Sequence, residues 1–372
     1  MKILILSAAP GSYATRDIVL KGQKRGHEMI VKDPAFLYLL ISDKVAGYDR
    51  VYDGYGQEDR PIRLNAKGYD AIIPRIGINL AYGCSVLEHL NRNLKIFSTQ
   101  TSNGIKTAAD KLISQQKISQ AKIRVPQTVL GDRAIHPAWM IEQVGGLPAI
   151  AKGLTGSQGK TVFPLNDEYQ TNVFLKNFSD RKENLLLQNF IDSGAKDIRA
   201  IVIDGKVIVA MERTAREGEL RANISQGGTG RKVELSEEDK TICVDAARVC
   251  GLEVAGVDIM KDKKGKTFVI EVNGNYGYHI QQVTGVDIST PLIEYCERNH
   301  KDGNMSNNTT DMKASGFSNP LSAELSSLVG RPVHILFGEG LSKVVLSERE
   351  YHRNKTEIDK MCIRQSLTIR LV

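Results

Sequence analysis

The stretch "VAGVDIMKDKKGKTFVIEVNG", residues 254–274, admits few folds. Two runs rich in β-branched and aliphatic residues flank a polar turn, "KDKKGK", the pattern of an antiparallel hairpin. With the turn centred near Lys264, Asp258 falls opposite Glu271. Asn273 lies two residues further on and shares a face with Glu271. Three oxygen-bearing side chains then converge on one side of an otherwise apolar hairpin. Two carboxylates buried together repel unless a cation pairs them. Hard oxygen donors in that number suit Mg²⁺, completed by phosphate oxygens and water. The alternative is that both carboxylates face solvent or an arginine.

A second stretch, "AKGLTGSQGKTVF" (151–163), ends like a phosphate-binding P-loop in Gly159-Lys160-Thr161. The first glycine of that motif should stand at 154, where the chain has Leu154. A P-loop also needs a helix after its glycines, whereas "TVFPL" suits a strand. The pattern is therefore strand, glycine loop, strand. Gly153, Gly156 and Gly159 would let backbone N–H groups approach an oxyanion closely. A merely flexible hairpin tip is the plainer reading. A third stretch, "MERTAREGELRANISQGGTG", places Arg213, Arg216 and Arg221 ahead of a glycine-rich loop. Guanidinium groups there could clamp a moving phosphoryl group or line a solvated basic loop.

The rest of the chain sets these motifs in an α/β frame. "KILIL" reads as a buried strand, "SYATRDIVLKGQKRGH" as a helix stopping near Gly26, and "EMIVKD" and "YDAIIPRIG" as further strands. That alternation implies a parallel sheet with crossover helices. No G-x-G-x-x-G follows the first strand, so a dinucleotide fold is not supported. "KTAADKLISQQKISQAKI" has helical spacing. "TVLGD", "PAIAKG", "KTVFPL", "NLLLQNF", "DIRAIVID" and "KVIVAMER" read as strands. "SEEDKTICVDAARVCG" is a helix opened by Ser236 and closed by Gly251. An Asn/Ser/Thr-rich linker follows, then strands in "PVHILFG", "SKVVLS" and "SLTIRLV". The expected domains are 1–97 (α/β), 98–190 and 191–298 (two mixed subdomains, the second with the candidate metal site), a linker 299–320 and a β-rich appendage 321–372.

At 372 residues the chain is long enough for two or three domains. Its 41% hydrophobic and 25% charged residues argue against disorder. The net charge of +7 fits an anionic partner such as a nucleotide, an acidic peptide or RNA, or else a solvated basic surface. Five scattered cysteines without a C-x-x-C pair read as reduced thiols in a cytoplasmic protein. "MKILILSAAP" reads as a first strand rather than a signal peptide. No apolar run of roughly 18 residues exists to span a membrane.

Taken in order, "DKL" (110–112), "AKGLTGSQG" (151–159), "LQNF" (187–190), "DIRAIVI" (197–203), "ERTAREGELRAN" (212–223), "AGVDIM" (255–260) and "IEVNG" (270–274) resemble the ATP-grasp superfamily. "DAIIPRIG" in the first domain adds to a likeness with the RimK-type amino-acid ligases, from Met1 to about Glu297. The resemblance implies an ATP-grasp fold, α/β and α+β, with an N-terminal parallel α/β domain.

It also implies roles. Lys111 and Lys152 would contact ATP phosphates. Gly156, Ser157, Gln158 and Gly159 would cover the γ-phosphate. Asn189 and Phe190 would hold adenine through their backbone, and Asp197 the ribose. Arg221 and Asn223 would face the transferring phosphoryl group. Asp258, Glu271 and Asn273 would bind one or two Mg²⁺ ions, with Mn²⁺ able to substitute. Arg213 is the candidate for a substrate carboxylate, which makes Arg221, Arg213 and Lys152 the catalytic set.

Two positions depart from the family pattern. Asn189 stands where the family usually has Glu. A Ser-Pro-Gly turn after the metal ligands is replaced by "GNYGYHI", which brings Tyr276, Tyr278 and His279 to where substrates approach. The function implied is an ATP-dependent carboxylate–amine ligase working through an acyl phosphate. It would add an amino acid, glutamate foremost, to a peptide or protein C-terminus. A small-molecule or biosynthetic-peptide acceptor, and a weakened ATP-binding regulatory module, are the rivals. The 301–372 segment is nearly balanced in charge, so direct nucleic-acid binding is not expected. It suits acceptor docking or homo-oligomer formation better.

Overall fold

The computed structural model describes residues 1–41, 50–131, 136–153, 162–181, 185–216, 228–302, 335–338, 341–346 and 367–371. The chain forms two compact units, Met1–Ser306 and Asn307–Val372.

The first unit opens with a four-stranded parallel sheet, ordered Glu28–Lys32, Lys2–Ser7, Ala71–Arg75, Phe97–Ser98. The expected crossover helix is Tyr13–Lys24. The Ser12 side chain caps its N-terminus by accepting from Thr15 N, and Gly26 follows its end at φ +80°. A small antiparallel sheet of Leu37–Leu39, Val51–Asp53 and Ile62–Leu64 was not foreseen from the sequence. Strands this short carry too few residues for alternation to register.

The run expected as one helix from Lys106 to Ile123 is two, Ser102–Ala109 and Lys111–Gln120. Asp110 breaks it: its backbone is extended, and its carboxylate accepts from Leu112 N and Ile113 N. An Asp in a helical pattern can cap a new helix as readily as continue the old one.

The glycine-loop strands belong to a four-stranded antiparallel sheet ordered Val162–Leu165, Ala149–Gly153, Leu185–Asn189, Thr128–Gly131. Val162 pairs with Lys152, so a strand, not a helix, follows the glycines. The loop itself, 154–161, lies outside the described residues.

A five-stranded antiparallel sheet completes the unit, ordered Thr229–Val233, Lys206–Thr214, Lys196–Ile203, Val254–Lys261, Thr267–Asn273. One face packs on helix Glu237–Val249 through Cys243, Ala246, Ala247, Val257 and Val272. Ser236 caps that helix by accepting from Asp239 N, and Gly251 follows it at φ +78°, both as expected. The opposite face joins a second core with Ile3, Ile5, Ile73, Ile201 and Tyr276. At one end of that face the apolar residues give way to charge.

In the second unit, Ile335–Gly338 pairs antiparallel with Leu341–Leu346, which pairs parallel with Leu367–Leu371. No helix among the described residues is long and apolar enough to cross a membrane.

Candidate active site

Period-two alternation builds the charged end of the five-stranded sheet. Asp197 pairs with Arg213, Arg199 with Asp258, Asp258 with Glu271, and Gly256 with Asn273. Paired residues point to the same side. Asp197, Arg199, Arg213, Asp258, Glu271 and Asn273 therefore share one face. The expected opposition of Asp258 and Glu271 is present. A bulge between Asp258 and Ile259 shifts the register, so Ile259 pairs with Val269.

The charges neutralise one another in pairs. Arg213 donates to Asp197 from Nε at 2.5 Å and from Nη2 at 2.8 Å. Its Nη2 also lies 3.2 Å from Asp258 Oδ2. Arg199 holds Asp258 with two further bonds, at 2.7 and 2.5 Å. Asp258 is 6% exposed and Arg213 is 4% exposed, so these ion pairs are largely desolvated. Burial pushes the Asp258 carboxyl up, but Arg199 and Arg213 outweigh it and hold it below the usual range. Burial opposes the charge on Arg213, yet Asp258 and Asp197 raise its affinity for the proton.

Lys152 projects from the central region of the neighbouring sheet. Burial lowers its pKa from 10.5 to about 8; Glu271 opposes that shift, Lys111 adds to it, and Asp258 opposes it. Lys152 therefore sits within the electrostatic reach of Lys111, Glu271 and Asp258 together. Lys111 is the first residue of its helix, just after the Asp110 cap. Lys152 thus feels one lysine and two carboxylates carried by three other elements.

Asn189 ends its strand, half-buried. Its Oδ1 accepts from Gln127 N at 2.7 Å, and its own N–H donates to Gln127 O at 3.0 Å. Phe190 follows, also half-buried. On the adjacent strand Asn189 pairs with Ala149, three residues before Lys152, about 10 Å along the strand. Gly156, Ser157, Gln158, Gly159, Arg221 and Asn223 lie outside the described residues.

The oxygen set fits a hard cation. Asp258, Glu271 and Asn273 share a face. The amide would ligate through Oδ1; its Nδ2 is a buried donor without a hydrogen-bond partner among the described residues, so it suits an acceptor such as a phosphate oxygen beside the cation. Among the described residues no three His, Cys, Asp and Glu gather at one point; the candidate set here is two carboxylates and an amide. Sequence reading missed Arg199. The signal was present: it stands two residues after Asp197, hence on the same face. Of the "GNYGYHI" residues expected near substrates, Tyr276 and Tyr278 are buried at 2% and 3% exposure. His279 alone of the three is exposed, at the start of helix His279–Thr284.

Comparison with known proteins places this arrangement of sheets and charged residues in a family. Residues 108–296 match the RimK-like ATP-grasp domain, and residues 1–105 match the RimK PreATP-grasp domain. A probable alpha-L-glutamate ligase of Pseudomonas paraeruginosa is 37% identical over 302 residues, covering 80% of this chain and 96% of the relative. One from Azotobacter vinelandii is 36% identical over 306 residues, covering 82% and 97%. Among solved structures, the ATP-grasp ligase PsnB complexed with a phosphomimetic variant of its minimal precursor, Mg and ADP superposes with a TM-score of 0.63. It is 18% identical and covers 80% of this chain and 98% of PsnB. The RimK domain protein ATP-grasp from Sphaerobacter thermophilus gives a TM-score of 0.56 at 16% identity, covering 80% and 100%. The last two show the fold alone.

The protein is thus an ATP-dependent carbon–nitrogen ligase of the ATP-grasp fold. Within that class, the chain belongs to the RimK-like ATP-grasp family. ATP and Mg²⁺ are the cofactors of such enzymes.

Proposed function

We propose that this enzyme adds glutamate to the C-terminal carboxylate of a peptide or protein through an acyl-phosphate intermediate. The observation that carries the reading is the opposition of Asp258 and Glu271 on the face that also bears Asn273, with Lys152 within the electrostatic reach of both carboxylates. Cations opposite a pair of carboxylates are what a metal–polyphosphate substrate requires. The glutamate part rests on relatives named probable alpha-L-glutamate ligase that match along most of both chains.

The division of labour follows from the chemistry. A carboxylate is a poor electrophile because oxide is a poor leaving group. Transfer of the γ-phosphoryl group to it makes phosphate the leaving group, and the amine of glutamate then displaces phosphate to form the amide. Catalysis is chiefly positioning and charge neutralisation. Lys152 and Lys111 bind phosphate oxygens from one side. Asp258, Glu271 and Asn273 hold Mg²⁺ on the other, and bound Mg²⁺ would supply further neutralising charge. Asn189 and Phe190 offer the backbone edge for adenine. The Gly156 to Gly159 loop covers the γ-phosphate, Arg221 and Asn223 face it, and Asp197 contacts the ribose. Arg213 holds a substrate carboxylate by its remaining donor capacity. Residues 98–190 and 191–298 form the two halves of this cleft, and residues 321–372 serve acceptor docking or self-association.

The test is mass spectrometry of reactions holding ATP, Mg²⁺, each of the amino acids and a panel of peptides. The expected product is a peptide heavier by one or more glutamyl residues, with stoichiometric phosphate release. Gain of another amino acid, or an acceptor that is a free small molecule, would replace this reading by the rival one. Nucleotide binding without turnover on any pairing would indicate a regulatory module.

A further inference from the structure

The hairpin that carries Asp258, Glu271 and Asn273 is tethered at its open end from the N-terminal region. The last ladder pair between its strands is Gly256 with Asn273. Beyond that pair the two backbones part, and one side chain bonds both. Gln100, 2% exposed, donates from Nε2 to Val254 O at 2.7 Å and to Gly274 O at 2.6 Å. Both N–H groups of its amide are thereby used. The bonded carbonyls belong to the residue that opens one strand and to the residue directly after Asn273. Arg75 makes a second tie. Its Nη2 donates to Tyr276 O at 2.7 Å, and its guanidinium lies 5.3 Å from the ring centroids of both Tyr276 and Tyr278. Tyr276 packs against Gly256, where any Cβ would lie 2.7 Å from Tyr276 Cβ. Gly256, Asn273, Gly274 and Tyr276 are therefore locked as a unit.

We propose that Gln100 is a positioning residue for Asn273: by fixing the backbone on both sides of the open end of the hairpin, it sets the aim of the Asn273 amide and so the affinity of the site for its divalent cation. The inference rests on the reading of Asn273 as a cation ligand. Outer residues that orient metal ligands typically carry about 10–100-fold of affinity. Gln100 stands far from the hairpin in sequence and offers no ligand itself, so it acts only through the backbone it bonds.

Gln100→Glu keeps the shape and replaces two donors with acceptors that face two carbonyl oxygens. Its readouts are Mn²⁺ affinity by electron paramagnetic resonance with ADP present, the Mg²⁺ concentration for half-maximal rate, and kcat at saturating Mg²⁺. The expected result is Mn²⁺ binding weakened about 10-fold or more, a matching rise in the Mg²⁺ requirement, and a smaller change in kcat. Thr267→Val is the control for mere destabilisation, because Thr267 Oγ1 donates to Asp239 at the far end of the same hairpin. It should lower the melting temperature and leave Mn²⁺ affinity unchanged.

If Gln100→Glu does not fold, Gln100→Asn serves: it keeps the donors but is too short to span both carbonyls, and it should weaken Mn²⁺ binding in the same direction. Unchanged Mn²⁺ affinity in the folded Gln100 variant, or an equal loss in Thr267→Val, overturns the proposal. Asn273→Ala separates the two readings. If it weakens Mn²⁺ binding while the Gln100 variant does not, only the positioning role fails. If Asn273→Ala binds Mn²⁺ normally, the ligand reading fails and the positioning role falls with it.

Discussion

Arg199 and Asp258 face each other across adjacent strands and meet fork to fork, Nε to Oδ1 at 2.7 Å and Nη2 to Oδ2 at 2.5 Å. Arg213 reaches the same Oδ2 at 3.2 Å. A cation at Asp258 must therefore share that carboxylate with two guanidinium groups. Arg199 and Asp258 also stabilise each other at the centre of the sheet, where neither is well solvated. Removing one partner of a buried pair costs up to about 3–5 kcal/mol, and here Arg213 remains to soften the loss. Arg199→Met is thus expected to lower stability by less than that figure in urea denaturation without Mg²⁺. Added Mg²⁺ and ADP should recover more stability in the variant than in the wild type, because the vacated carboxylate needs a new counter-charge. Equal ligand-induced shifts in both proteins would refute the competition.

Lys152 provides a pH test. Burial is the leading cause of its depressed pKa of about 8. In the free enzyme it is therefore protonated below about pH 8 and neutral above. A polyphosphate beside it favours the ammonium form. Nucleotide binding at about pH 9 should then take up protons, and binding at about pH 6 should not. Calorimetry in buffers of different ionisation enthalpy measures the uptake directly. Lys152→Arg should abolish it while retaining charge, and Lys152→Met should weaken binding at every pH. Loss of nucleotide binding with Lys160→Ala but not with Lys152→Met would mean that the wrong lysine has been chosen.

The same residues show how far the sequence could be read. The Asp258–Glu271 opposition was legible because two apolar runs around one polar turn leave a single plausible register. The strand after the glycine loop was legible because "TVFPL" is β-branched and aromatic, and its proline is tolerated within an edge strand. The break at Asp110 was less legible, since helical spacing continues across it and only the capping bonds of one side chain end the first helix. Arg199 was visible but unremarkable: alternation places it beside Asp197, yet nothing in one sequence says that its strand adjoins the one bearing Asp258. Gln100 was invisible, because its two partners lie more than a hundred residues away and are backbone carbonyls, which carry no residue signature.

Gly104 and Gly251 bring a helix and a chain reversal together with no room for a side chain. A Cβ at Gly104 would overlap the Gly251 carbonyl, and Gly251 itself adopts φ +78° to end helix Glu237–Val249. Backbone cannot rotate away as a side chain can, so Gly104→Ala should destabilise by about 1–3 kcal/mol. That exceeds any gain from alanine's better helix propensity, about 0.8–1.0 kcal/mol. Chemical denaturation measures the difference. A neutral or stabilised variant would show that the two segments can separate at little cost.

Glu271 differs from Asp258 in having no arginine opposite it on its own strand pair; its register partner is Asp258 itself. Its charge is the one that Lys152 feels most strongly. Replacement by Gln keeps the volume and removes the charge, so the fold should persist, with an unchanged circular dichroism spectrum. Two effects should follow together. Mg²⁺-dependent turnover should fall by more than the roughly 10–100-fold typical of residues that only support a metal site. The Lys152 pKa should fall further, because the carboxylate that favoured its ammonium is gone, and proton uptake on nucleotide binding should begin at lower pH. Turnover preserved in Glu271→Gln would remove Glu271 from the cation site. A lost turnover with an unshifted onset of proton uptake would keep Glu271 at the metal and uncouple it from Lys152.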